Sequence, residues 1–168
     1  MIIDLDFFRF NIHIGQLDNL AVEDNVELYT ERYSEEFLIR LLGHKLAKDY
    51  LENYQTTRKD LDQILVDRDK KISPIANYVF CNYITSTHAI HQGIGVVVPN
   101  AENSARVNPV QKVVVAWNEM VDYICHVHPS IRALGLDNYR YQNQVDICRG
   151  GCGCGSKPAF EKINRLGI

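Results

Sequence analysis

Apolar residues recur every three or four positions in two stretches of the chain. The first is "SPIANYVFCNYITSTHA", where Ile75, Ala76, Val79, Phe80, Tyr83 and Ile84 make one wide stripe. Ser73 stands at the N-cap and Pro74 at the first helical position, where a missing N–H costs nothing. The second is "NPVQKVVVAWNEMVDYICHVH", with Val110, Val113, Val114, Trp117, Met120, Val121, Ile124 and Cys125 on its stripe. Asn108 and Pro109 repeat the opening device, and Gln111 completes a capping box. Both spacings predict amphipathic helices, ending at the histidines. Their stripes should face each other, with Trp117 packed near Val79 and Tyr83.

The first third of the chain reads as more helix. Phe37, Leu38, Leu41, Leu42, Leu46 and Tyr50 fall at helical spacing. Ser34 suits an N-cap, with Glu35 and Glu36 in the first turn, and Gly43 is a breaker. The pattern predicts a short helix near 24–32 and a longer or split one near 35–53. Leu61, Ile64 and Leu65 predict a small helix capped by Thr57. "RFNIHIG" alternates, with Phe10, Ile12 and Ile14 on one side, and predicts a short strand closed by Gly15.

Between the two strong helices the period changes from 3.6 to 2. Ile94, Val96, Val97 and Val98 lie in a glycine-flanked, β-branched run, "PNAEN" is turn chemistry, and "SARV" pairs back. This predicts a β-hairpin at about 92–107. A lone hairpin is marginal in water and its edges seek partners. Ile94, Val96, Val97, Val98 and Arg106 are therefore expected at a subunit interface. After His128-Pro129 periodicity fades. Residues 137–168 are expected to form an extended C-terminal arm, with glycine at 150, 151, 153 and 155 making it pliable. Its apolar end, Phe160, Ile163, Leu166 and Ile168, should dock on a neighbour and become fixed only on assembly. The fold class is thus mainly α: a small helical bundle over residues 1–136, an inserted hairpin and the arm. Phe37, Leu41, Val79, Tyr83, Val114, Trp117 and Val121 are expected in its core.

Composition narrows the function. The 168 residues are 46% hydrophobic, enough for one domain with its own core. Eighteen basic and 21 acidic residues give a net charge of −3, without the basic excess that phosphate binding needs. The start, "MIIDLDFFRF", lacks the pattern of a secretory leader, and no stretch approaches the roughly 18 apolar residues of a membrane span. Action in a reducing cytoplasm, or in something assembled there, is the expectation.

The chemistry-bearing residues are sparse. Cys148, Cys152 and Cys154 sit in "CRGGCGCG", and Cys125, His126 or His128 would have to complete a four-donor zinc set. The C-x3-C-x-C spacing is a poor chelate, so a thiol-bearing link without metal or other cofactor is preferred. A small cytosolic protein with a Cys/His metal site stays as the alternative. His88 and His91, like His126 and His128, fit helix C-termini, where the dipole favours them. No nucleophile elbow, phosphate loop, dinucleotide fingerprint or HExxH occurs, so no enzyme is expected. A helix-turn-helix regulator is disfavoured by the acidic balance and by the hairpin between core helices.

Four segments together resemble a known group: "YSEEFLIRLLG", "SPIANYVF", "GIG…NAEN" and "SARVNPVQKVVVAWNEMV". Over residues 25–127 their order and spacing resemble head–tail connector (adaptor, or head-completion) proteins of tailed phages and prophages of Bacteroidetes-type bacteria. The Cys/Gly run departs from that pattern. The resemblance implies a structural virion protein without catalytic residues. Its copies assemble in the host cytoplasm into a ring, commonly of twelve, beneath the portal at the neck. Its implied partners are other copies of itself, the portal protein and a tail or other neck protein. DNA would pass through the ring without sequence-specific binding, and no membrane is involved.

Overall fold

Helix α1 (Leu20–Leu42) opens on Asn19, whose side chain accepts the N–H of Ala21 at 3.0 Å. It ends at Gly43, where φ is 86°, a value that only glycine adopts without strain. The chain turns there and α2 (His44–Asn53) begins at once. Then follow α3 (Lys59–Leu65), α4 (Pro74–His88) and α5 (Pro109–Ala133). This computed structural model describes residues 2–9, 12–88, 90–92, 95–97, 109–136, 139 and 160–163. Over these residues the protein is mainly helical.

The core lies where α4 packs on α5 and α1 packs on α4. Phe37, Leu38, Leu41 and Leu42 from α1 meet Ile75, Ala76, Tyr78, Val79 and Phe80 from α4. Ala116, Met120, Val121 and Ile124 of α5 close the other side, and Val114 and Tyr83 are also buried. Polar groups pin α4 to α5 as well. Asn77 donates to the Ala116 carbonyl at 3.0 Å, and the Cys81 thiol to that of Val113 at 3.5 Å.

The lower end is held by a different device. Tyr50 on α2 is fully buried and donates to Asp62 on α3 at 2.7 Å. Arg68 donates to both oxygens of Asp62, at 3.0 and 3.2 Å, and to the Ile2 carbonyl at 3.1 Å. The N-terminal segment is thereby fastened beneath α3, with Ile2, Ile3, Phe7 and Phe8 buried. Burial, and then the Asp62 carboxylate, push the Tyr50 hydroxyl well above the usual tyrosine range.

Several expectations change. Ser34 does not start a helix: α1 runs through it without a break. Val26, Thr30, Ser34, Phe37, Leu38 and Leu41 form one buried face, and their packing outweighs the capping preference of serine. The cap of α3 is Arg58 rather than Thr57. Arg58 Nε instead reaches Asp49 on α2 at 2.7 Å, a contact that lowers the Asp49 pKa. No ladder forms at residues 9–15 among the described residues. Ile12 and Ile14 are nevertheless buried and His13 exposed, beside a 3-10 turn at Leu5–Phe8. Helix α5 does not stop at the histidines but continues through Pro129 to Ala133.

The expected hairpin of 94–98 with 104–107 is not supported. Residues 98–108 lie outside the described residues, Arg106 and Val98 among them, as does Ile94. The described ladder is shorter and earlier: Ile90–Gln92 (β1) pairs antiparallel with Gly95–Val97 (β2), Ile90 opposite Val97 and His91 opposite Val96. The sequence reading placed the first strand too late because residues 90–92 carry no β-branched run beyond Ile90.

Ser34 Oγ is buried and has no hydrogen-bond partner among the described residues. Such a hydroxyl costs about 1–3 kcal/mol in desolvation, and serine is also a poorer helix former than alanine. Ser34→Ala should therefore raise stability by about 1 kcal/mol in urea denaturation. A loss of stability would show that the hydroxyl is satisfied in solution.

Candidate functional site

Trp117 and Asn118 are neighbours on α5, and both reach the same short segment near the C-terminus. Phe160 inserts its ring among Phe37 of α1, Tyr78 of α4 and Trp117. The centroid distances are 5.2, 5.9 and 6.1 Å, one stacked and two edge-on. Phe160 is only 5% exposed. Downstream, Trp117 Nε1 donates to the Glu161 carbonyl at 2.7 Å. Asn118 grips Ile163 by both main-chain groups: its amide donates to the Ile163 carbonyl at 2.9 Å and accepts the Ile163 N–H at 3.0 Å. Lys162 and Asp122 pair at 2.6 Å on the exposed rim.

These contacts make a peptide-sized groove with an aromatic pocket, a main-chain clamp and an acidic rim. The clamp reads backbone and the pocket reads an aromatic side chain, the division of labour by which proteins bind extended peptides. Behind the pocket, Tyr78 donates to Glu36 at 2.7 Å, Arg40 pairs with Glu36 at 2.9 Å, and the Arg40 guanidinium lies 5.7 Å from the Tyr78 ring centre. Burial and the Glu36 carboxylate push the Tyr78 hydroxyl up, so it stays protonated and holds its ring still.

This revises two expectations. Trp117 is half-buried, and its ring contact on α4 is Tyr78. The reason is that the indole N–H needs an acceptor, and the Glu161 carbonyl at the surface supplies it. Phe160 and Ile163 do not wait for a neighbour to be fixed, because one chain already offers them a pocket and a clamp. Leu166 and Ile168 lie outside the described residues. Tyr139, read as the start of the arm, is buried beside His128, with 2.7 Å between its hydroxyl and Nδ1. The one sequence signal for the groove is Asn118, a hydrogen-bonding amide beside the only tryptophan.

The cysteines also differ from expectation. Cys81 is free, and burial pushes its thiol up to about 12, so it is protonated and unreactive at neutral pH. Cys125 on α5 is disulfide-bonded rather than reduced, and its partner lies outside the described residues, as do Cys148, Cys152 and Cys154. Among the described residues no three His, Cys, Asp or Glu side chains are grouped to hold a metal. An open cavity of about 480 Å³ lies by α3, lined by Lys59, Asp62, Asp67 and Arg68. Its charges are of both signs and already paired in part: Arg68 with Asp62, and Asp67 with Lys70. No described helix is long and apolar enough to cross a membrane. Comparison with protein-family models, curated proteins and solved structures returns no match.

Removing residues 158–168 should strip the cover from Phe37, Tyr78 and Trp117. Burying one phenylalanine contributes about 1.5–3 kcal/mol, so the truncated chain should lose about 2 kcal/mol and melt several degrees lower. Asn118→Ala should cost about 1 kcal/mol, since the Ile163 groups it frees can turn to water. Calorimetry of the three proteins checks both values. Equal melting temperatures would mean that the segment does not dock.

Proposed function

We propose that this chain is a structural head–tail connector of a tailed phage or prophage, a ring subunit beneath the portal that joins capsid to tail. The observation that carries the reading is where the resembling segments fall. "YSEEFLIRLLG" supplies the buried face of α1, "SPIANYVF" that of α4, and "KVVVAWNEMV" that of α5. The words that resemble the connector group are thus the ones that pack against each other, which is what a shared framework requires.

Other features fit a subunit of an assembly. Leu20 and Leu28 on α1 and Val115 on α5 are 71, 61 and 56% exposed, apolar positions available for neighbouring copies. The ladder of β1 and β2 has two strands, and a neighbour's strand can extend it. A head-to-tail contact that closes makes a ring. Around a DNA conduit the net charge of −3 favours sliding over holding, because phosphate contacts need basic groups. The partners in this reading are further copies of the chain, the portal and a tail or neck protein, and the location is the virion neck.

Electron microscopy of the purified protein mixed with its portal tests the reading. Rings of a fixed subunit number, seated on the portal, are expected. Val96→Asp with Val98→Asp should leave the chain folded and should abolish the rings. A wild-type protein that stays monomeric beside its portal would contradict the proposal.

A further inference from the structure

We infer that the groove of Phe37, Tyr78, Trp117, Asn118 and Asp122 is an exchange site, filled in the assembled protein by the Phe160–Ile163 strap of a second copy of this chain. The strap meets the helices as a ligand would. One aromatic anchor enters a pocket made by three helices. Three hydrogen bonds reach its main chain, from Trp117 Nε1 and both ends of the Asn118 amide. One lysine meets an aspartate at the rim. None of these contacts depends on which copy supplies the strap, so exchange keeps each of them. Swapping an identical element between copies is for this reason a low-cost route to association.

The covalent connection permits it. Tyr139 is held against His128 at the end of α5, and twenty residues, 140–159, separate it from Phe160. Fully extended, twenty residues reach roughly 66–72 Å, more than the width of a domain of this size. A connection of that length gives the strap a local concentration in the millimolar range at its own groove. In a closed assembly, a neighbouring groove within that reach competes for the same strap. The occupant is specified by chemistry: an aromatic side chain, a base two residues on, and an extended main chain, as in "FEKI". With the Cys125 disulfide in place the free connection is shorter than these twenty residues, and a reductant restores its full length.

The inference rests on the ring reading only in needing copies that meet, and one experiment separates the two. Unlabelled and nitrogen-15-labelled full-length chains are mixed in reducing buffer, with and without portal. A carbodiimide then condenses the Asp122 carboxylate with the Lys162 amine, losing water to form an amide. Mass spectrometry reads whether the joined peptides carry one isotope or both, and electron microscopy scores rings in the same samples. Exchange predicts mixed-isotope Asp122–Lys162 peptides, rising with assembly toward half of the total. Phe160→Ala should reduce the crosslink at least tenfold in both isotope classes. Rings with single-isotope peptides alone would overturn the exchange and leave the ring reading standing. Mixed-isotope peptides without rings would sustain exchange and count against the ring. Absence of any Asp122–Lys162 crosslink would overturn the groove itself.

Discussion

Four aromatic rings from four separate segments hold this structure together. Phe37 comes from α1, Tyr78 from α4, Trp117 from α5 and Phe160 from near the C-terminus, and each lies within 6.1 Å of Tyr78 or Phe160. Such pairs contribute about 0.5–1.5 kcal/mol each beyond the area they bury. Their larger effect is geometric. A ring must tilt or stack against its neighbours, so fixing Tyr78 fixes the relative placement of α1, α4 and α5. The Glu36 and Arg40 side chains hold Tyr78 from outside, a hydrogen bond to its hydroxyl and a cation near its face.

The opposite end of the molecule is ordered by polar groups. Tyr50 and Arg68 converge on Asp62, and Arg68 also takes the Ile2 carbonyl. One carboxylate thereby joins α2, α3 and the chain's first residues. Tyr123 adds a bond from α5 to the Ile64 carbonyl at 3.1 Å, coupling this end to the helical core. The two ends divide the work. The polar end seals the N-terminus, and the aromatic end receives a segment from far along the chain.

The helical period made α4 and α5 legible in the sequence, because Pro74 and Pro109 mark their starts and their stripes are continuous. Gly43 was legible as a breaker for the same local reason. What escaped was long-range. Ser34 and Thr57 are good caps in isolation, yet burial of the α1 face and the pull of Asp49 on Arg58 decided those boundaries. The groove escaped for a related reason. Its hydrogen bonds span 44 and 45 residues in sequence, and three of them end on main-chain groups, which carry no sequence signal. The "CRGGCGCG" run drew attention by composition, whereas Asn118, a single amide on a charged helix face, did not.

The proposed connector role calls for a rigid frame and a segment able to change partners. The aromatic cluster and the Phe160–Ile163 segment are the candidates for those two parts, and both depend on Phe160 being seated. Amide hydrogen exchange of the Ile163 N–H and the Trp117 indole N–H in the full-length free protein measures that seating directly. Both donate hydrogen bonds within the groove, so each should be slowed relative to its own free rate by a common factor, the one that a docking energy of ~2 kcal/mol sets, about 30-fold. Exchange of both protons at the rate of an unstructured peptide would contradict the claim that Phe160 closes the cluster.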